Sequence, residues 1–381
     1  MPGPVDFSGS LPEVPAAGVQ SIPGASTSVT AFVGTACHGP MNIPANVTSF
    51  DDYRSVFGGQ AADSELGYAV REFFQNGGAE AYVVRTADAQ SSLLGDRALR
   101  HGLYALEEVD LFNLLCLPGV DDRYVLAAAQ DYCAERGAFF IMDAPIAAES
   151  PDQLLTTVVS RNFPKSEHAA IYYPWVYLAD DQGKRRLAPP SGGIAGLYAR
   201  TDMERGVWKA PSGNRARLVD VQALGYLLDD DESDRLNHQG INCLRMFPEL
   251  GAVCWSASTL RRVGQMTTEF DHVPVRRMAN FLEDSISRGL QWAMFEPNNE
   301  ALWARIRKQV DAFMHRLFVD GAFQGLSERE AYLVKCDGST TRPEDVEMGH
   351  VNLHIGFAAL KPDEFVMLTI QQLAGAAEEN R

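Results

Sequence analysis

The first apolar run of the chain reads SVTAFVG, from Ser28 to Gly34. It is rich in β-branched and aromatic residues, which is typical of a strand. The next long segment carries Leu66, Val70 and Phe73 at helical spacing, so one helix face is apolar. A second run, AYVVR at 81–85, again favours a strand. The opening of the chain is therefore predicted to be strand–helix–strand.

The same alternation continues along the next hundred residues. Apolar runs predict strands at 111–117, 139–142 and 169–176, and periodic segments predict helices at 123–136 and 151–161. A break at 189–193 precedes a short predicted helix at 194–204. Strands that alternate with helices favour a mainly parallel sheet covered on both faces. The fold class predicted for this part is α/β.

The pattern changes near residue 240. Short strands are predicted at 242–247 and 252–255, and long helices at 275–288 and 300–318, the second capped by Asn298 or Asn299. An alternating strand at 351–357 and a last strand at 365–370 follow. We therefore predict four parts: a Pro/Gly-rich N-terminal arm at 1–25, an α/β core at 26–235, an α+β C-terminal domain at 236–360, and a C-terminal strand with a polar tail at 361–381.

Charge and cysteine content limit the function classes. The chain of 381 residues has 33 basic and 50 acidic residues, a net charge of −17, which disfavours nucleic-acid binding. Its six cysteines form no C-x-x-C pair, so buried free thiols in a reducing compartment are predicted. We find no secretory signal and no apolar run of membrane-spanning length, so synthesis in the cytoplasm and no direct membrane insertion are predicted.

A search for chemistry finds only isolated candidates. The sequence has no phosphate-binding loop and no H-E-x-x-H. Asp143 follows a buried strand, Gly192-Gly193 precedes a helix, and His350 and His354 lie four apart. A cap or turn, a loop, and strand or interface histidines are favoured over catalysis, anion binding and zinc binding. We predict no catalytic residue, cofactor or metal.

Several stretches resemble the contractile tail sheath family of phages, R-type bacteriocins and extracellular contractile injection systems. The similarity runs in order along nearly the whole chain. It rests on the blocks IPGASTSV at 22–29, AFVG at 31–34, AVREFFQNGG at 69–78, AYVVR at 81–85, PPSG at 189–192, AGLYARTD at 195–202, RGVWKAP at 205–211, RR at 276–277 and FEPN at 295–298.

This resemblance implies a structural protein whose middle domain is similar to the subtilisin fold without being a protease. Sheath subunits of this family stack as rings around an inner tube and contract to drive the tube through a membrane. The implied partners are other copies of the chain, the inner tube protein, and baseplate and terminal cap proteins. The implied location is a phage tail, or a tail-like particle released from the cell.

The resemblance also implies roles for particular residues. The terminal segments would add strands to a neighbour's sheet. The residues predicted to form these intersubunit strands are Val14, Val19, Phe365, Met367 and Ile370. On the helix at 300–318, Arg305, Lys308 and Arg316 are predicted to contact the tube. The alternative for that helix is a basic face that balances an acidic chain.

Two other functions stay open at this stage. An α/β enzyme or nucleotide-binding protein would share the alternating pattern. A tail accessory or cap protein would share the resemblance without polymerising. The sequence also leaves open whether the particle is a phage, a bacteriocin or an injection system.

Overall fold

A computed structural model of the chain describes residues 21–61, 63–87, 90–160, 162–180, 182–261 and 268–375. Its centre is a sheet of eight strands: β1 Thr30–Gly34, β2 Ala45–Val47, β3 Ala81–Arg85, β4 Leu114–Cys116, β5 Phe139–Asp143, β6 Ala169–Tyr173, β10 Ile241–Phe247 and β11 Gly251–Cys254. Their order across the sheet is β11-β10-β6-β5-β4-β1-β3-β2. Adjacent strands are parallel except for the outer pairs β2–β3 and β10–β11. The predicted α/β class with a mainly parallel sheet is confirmed.

Helices cover both faces of this sheet, because the strand residues alternate between two apolar clusters. On β1, Ala31 and Val33 pack with α4 and α5, whereas Phe32 packs with α2 and α6. The helices of this part are α1 Phe50–Phe57, α2 Leu66–Gln75, α3 Gln90–Leu94, α4 Arg123–Glu135, α5 Pro151–Val159, α6 Ser191–Arg205 and α7 Asp230–Asn237, with a 3-10 helix at Gly102–Glu108.

Helix α6 begins earlier than the sequence indicates. Gly192 and Gly193 were predicted to form a loop before the helix, and the structure corrects this, because both lie in its first turn. A Cβ at Gly192 would lie 2.1 Å from the carbonyl oxygen of Ala69, and one at Gly196 would lie 2.3 Å from that of Phe73. The glycines therefore allow α6 to pack closely on α2, and this packing role replaces both the loop and the anion site.

A small antiparallel sheet leads away from the large one. It contains β7 Val176–Ala179, β8 Arg185–Ala188 and β9 Ala223–Leu224, in the order β8-β7-β9. The single strand predicted at 169–176 is wrong in this respect, because the chain leaves β6 at a cis Tyr173–Pro174 peptide and enters β7 in a different sheet.

The C-terminal domain is a three-stranded antiparallel sheet covered on one face by two long helices. Leu282 of α8 and Ile306 of α9 pack in one cluster with Leu353 of β13 and Leu368 of β14. The Asn299 side chain caps α9 by accepting from the Leu302 N–H at 3.0 Å, as predicted. The elements are α8 Val273–Gly289, α9 Glu300–Val319, α10 Glu328–Ala331, α11 Pro343–Glu347, β12 Tyr332–Lys335, β13 His350–Ala358, β14 Phe365–Leu373, and 3-10 helices at Glu269–Asp271 and Gln291–Phe295.

Strand pairing favours a later border between the two domains than the sequence indicates. Strands β10 and β11 were expected in a C-terminal domain at 236–360, but β10 pairs in parallel with β6 of the large sheet. Beyond β11, the next described α-helix, α8, packs with the C-terminal sheet. We therefore propose a border between residues 255 and 272.

Candidate assembly surfaces

The carboxyl end of β5, where an α/β enzyme often places a catalytic acid, is covered by the turn after β4 and by the N-terminus of α6. The carboxylate of Asp143 accepts hydrogen bonds from the Gly119 N–H at 3.0 Å, the Ser191 N–H at 2.8 Å and the Ser191 hydroxyl at 2.7 Å. Burial raises the pKa of Asp143 to about 6, against the lowering effect of these hydrogen bonds. Asp143 thus caps α6 and fixes the turn after β4, which confirms the cap interpretation.

The two close histidines do not form a metal site. His350 and His354 lie on the same face of β13, where residues four apart are separated by about 13 Å. Within the residues that the structure describes, no three His, Cys, Asp or Glu side chains come together in a way that could hold a metal ion. In the same residues, no helix is both long and apolar enough to cross a bilayer.

Helix α9 presents three of its basic residues on the side away from the apolar cluster. Arg305, Lys308 and Arg316 fall within about 80° of one another around the helix axis, whereas Arg307 lies on another side and donates to the carbonyl of Cys336. Arg305 is 58% exposed, pairs with Glu296 at 3.1 Å and lies over the ring of Trp292 at 4.5 Å. Lys308 is exposed one turn further on. This face combines a guanidinium held by Glu296 and Trp292 with an exposed ammonium group, which is a suitable surface for an acidic partner.

Arg316 is also exposed but is engaged within the chain. Its guanidinium donates a hydrogen bond to the main-chain carbonyl of Ile22. The structure therefore brings Arg305 and Lys308 to one open surface and places Arg316 at its edge, against the N-terminal segment. The sequence held no signal for this contact, because it joins residues 294 positions apart.

Strand β14 carries the three predicted C-terminal strand residues. All nine of its residues pair with β13 of the same chain, from Phe365 opposite Ala358 to Leu373 opposite His350. Ile370 is buried against the helices, whereas Met367 is exposed on the other face. Along the outer edge of β14, no further strand pairs with it in the described part of the chain. Val14 and Val19 lie outside the described residues.

Comparisons with known proteins fit this architecture. The family model for the phage tail sheath protein central domain matches residues 93–260, and that for the phage tail sheath C-terminal domain matches residues 265–372. The two models follow one another along the chain and together match well over half of it. The chain belongs to the contractile phage tail sheath family.

Relatives of this sheath chain include a tail sheath protein of Vibrio phage KVP40, 31% identical over 181 residues that cover 47% of this chain and 26% of the relative. The sheath chain therefore matches only about a quarter of that phage protein. A protein named as a prophage major tail sheath protein of Pseudomonas aeruginosa strain UCBPP-PA14 is 27% identical, over 85% of this chain and 84% of the relative.

A solved structure extends the similarity of the sheath chain to both domains. The PVC sheath complex of an extracellular contractile injection system, in its contracted state, has 28% identity and a TM-score of 0.74. The alignment covers 96% of this chain and 98% of that chain. The predicted family and the predicted structural, non-enzymatic class are confirmed, because these relatives are sheath proteins and the matched models are sheath domains.

Proposed function

We propose that this chain polymerises as stacked rings around an inner tube, and that the polymer shortens to drive the tube through a target membrane. The single observation that carries the proposal is the similarity to the PVC sheath subunit, because it includes the core and the C-terminal domain together over 96% of this chain. A cap protein that lacked one domain would not match over such a length.

The energy for contraction comes from assembly in this proposal. A subunit built into a strained lattice can relax to a second packing as a rigid body, without a nucleotide. The closed hydrogen-bond network around Asp143 supports this, because the place where many α/β proteins bind a ligand is filled by the N-terminus of α6. We favour the sheath over the enzyme alternative on this ground.

Subunits are joined by strand addition in this proposal. The outer edge of β14 offers a row of main-chain donors and acceptors, which is a ready site for an extended segment of a second copy. The segment 1–20, with Val14 and Val19, is our candidate for the added strand. Phe365, Met367 and Ile370 then belong to the receiving strand. Exchange of β14 itself between copies would reproduce the same pairing.

The inner tube is met by α9. Arg305 and Lys308 are our candidates for the contact, because they share one exposed face and the cation of Arg305 is held in place by Glu296 and Trp292.

We further propose a baseplate and a terminal cap as partners and a phage tail or tail-like particle as the location. The six parallel strands of the core, with helices on both faces, are consistent with the proposed subtilisin-like arrangement.

Electron microscopy of the chain coexpressed with its inner tube protein tests the proposal. We expect long striated tubes whose sheath covers the tube along its length. Density confined to tube ends would instead indicate a cap protein. Discrete monomers or small oligomers in the presence of intact tubes would exclude a sheath.

A further inference from the structure

The segment that leads into the core lies along one stripe of α8. Residues 277, 281, 285 and 289 are four apart and therefore fall on one side of the helix. Each of them meets residues 22–27: Gly289 meets Ile22, Phe281 meets Gly24, Ser285 binds Ala25 and Arg277 binds Thr27. We call residues 22–27 the strap.

Side chains of the C-terminal domain hold the main chain of the strap. The Ser285 hydroxyl accepts from the Ala25 N–H at 2.9 Å, and Arg277 donates to the carbonyl of Thr27 at 2.9 Å. Arg316 of α9 donates to the carbonyl of Ile22. Hydrogen bonds from two helices thus replace the strand pairing that an extended segment would otherwise need.

The first residue of the strap, Ile22, is held in place by close packing. Ile22 is fully buried in the apolar cluster of the C-terminal domain. A Cβ on Gly289 would lie 2.8 Å from both Cγ atoms of Ile22, which is closer than real side chains approach. Only glycine at 289 therefore leaves room for Ile22 in this position.

The strap ends where the core begins. Thr27 stands three residues before β1, the strand that lies between β3 and β4 in the large sheet. Arg277, which binds Thr27, also forms a bidentate pair with Asp202 of α6 at 2.5 and 2.9 Å, and both side chains are buried. Arg277 thereby connects α8 of the C-terminal domain to the segment before β1 and to α6 of the core.

We propose that the strap locks the C-terminal domain to the core, so that the subunit moves as one rigid body and the arm at 1–20 leaves from a fixed point between α8 and α9. In this assignment Ser285, Gly289 and Arg316 are positioning residues for the arm. The rigid-body part rests on the proposed sheath function, whereas the position of the strap does not.

An engineered disulfide tests the position in the isolated chain. The variant Ile22→Cys with Gly289→Cys places two Cβ atoms about 3.1 Å apart, a few tenths of an ångström short of the usual disulfide range. The exposed Cys37 is changed to Ser in every variant. We expect mild oxidation to cross-link this pair, whereas Ile22→Cys with Ser287→Cys, on another side of α8, stays reduced. Failure of the first pair to cross-link, or equal cross-linking of both, would overturn the strap.

Hydrogen exchange supplies a second measurement that does not need new cysteines. Ser285→Ala should speed amide exchange in a peptide that covers residues 22–27 by about tenfold, because it removes the acceptor of the Ala25 N–H. Arg316→Ala should speed exchange in the same peptide, because it removes the bond to the Ile22 carbonyl and lets the strap open more often. Arg316→Lys, which keeps a donor, should restore most of the protection. Ser287→Ala is the matched control and should change nothing. Unchanged exchange in both alanine variants would contradict the proposal.

The cross-linked chain then tests rigidity in the polymer. With the tube protein, oxidised and reduced samples should give the same proportion of extended and contracted sheaths. If the oxidised sheath assembles but contracts only after a reductant is added, the strap opens during contraction and the rigid-body assignment is wrong. If the unmodified chain forms no sheath at all, the proposed function fails, while the cross-link in the isolated chain still decides the strap.

Discussion

At the scale of single residues, Arg277 of α8 and Asp202 of α6 form a buried ion pair between the domains. Their side chains are only 3% and 4% exposed. Burial raises the pKa of Asp202, and the neighbouring Arg277 opposes that shift. Removal of either partner would leave the other charge buried without compensation, and this destabilises the folded chain.

We predict that Asp202→Ala lowers the free energy of unfolding by about 3 kcal/mol, because the Arg277 guanidinium then stays buried without its carboxylate. Urea titration of the isolated chain measures this change. The control is Asp51→Ala, which breaks an exposed pair with Arg54 and should cost less than about 1 kcal/mol. Similar losses in the two variants would show that the junction does not depend on the buried pair.

A second residue-scale prediction concerns pH and Asp143. Its pKa in the folded chain, about 6, lies above the ordinary value of 3.8. The folded state therefore binds the proton more tightly, and the stability that this contributes is lost as pH rises through that window. The unfolding free energy of the natural chain, relative to Asp143→Asn, should fall by up to about 3 kcal/mol between about pH 4 and pH 7.

Urea titrations of both proteins across that pH range check the sign. A difference that rises with pH would mean that the hydrogen bonds from Gly119 and Ser191 outweigh burial and hold the carboxylate ionised.

At the scale of elements, we assign two roles to helix α9. Its face with Arg305 and Lys308 is proposed to contact the tube, and Arg316 near its end holds the strap. We predict that Arg305→Glu with Lys308→Glu abolishes sheath formation around the tube while the isolated chain stays folded, because both side chains are exposed. Electron microscopy and circular dichroism measure the two effects. Lys184→Glu with Lys361→Glu is the control for net charge, and both of these lysines lie in exposed turns. Normal extended particles from the α9 variant would refute the tube contact.

The two chain ends should respond differently to deletion. Removal of residues 1–20 should abolish polymerisation and leave the melting temperature of the monomer within about 2 °C, because Ile22 keeps its position without them. Removal of residues 365–375 should instead destabilise the C-terminal domain, because Val366, Leu368 and Ile370 are buried there. Polymers formed by the first variant would contradict strand addition by the arm.

The sequence predicts most elements, because apolar periodicity and end signals are local. The helix Phe50–Phe57 ends at Gly58, whose positive φ of 88° is a left-handed cap, and the periodicity of α9 is visible directly. The choice of sheet that a strand joins depends on distant parts of the chain. The apolar pattern of the short run at 241–247 is the same whether it pairs with β6 or with a strand of the C-terminal domain.

The strap illustrates the same limit at the candidate site. Its partners on α8 are a cation, an aromatic ring, a hydroxyl and a glycine, so no apolar stripe marks that face. The contact of Arg316 could not be predicted for the same reason. Its spacing on α9 predicts an exposed cation, but its contact with Ile22 depends on how distant parts of the chain pack. Asp143 could be assigned to a turn or cap from the sequence because no partner histidine and no phosphate-binding loop accompany it.

At the scale of the whole molecule, the proposed subunit is a rigid body from which the arm at 1–20 extends. The body is two domains joined by the strap and by the pair between Arg277 and Asp202. The surfaces that we propose to meet other molecules are the face of α9, the open edge of β14 and the arm itself. In this proposal a lattice of such bodies changes its length by changing how copies pack, and each copy keeps its own fold.

Helical reconstruction of the sheath in its extended and contracted states tests this claim most directly. We predict two lattices of different pitch in which residues 21–375 of one subunit superpose to within about 1 Å, as rigid-body motion requires. A single lattice, no lattice, or a subunit whose C-terminal domain swings away from the core between the two states would contradict it.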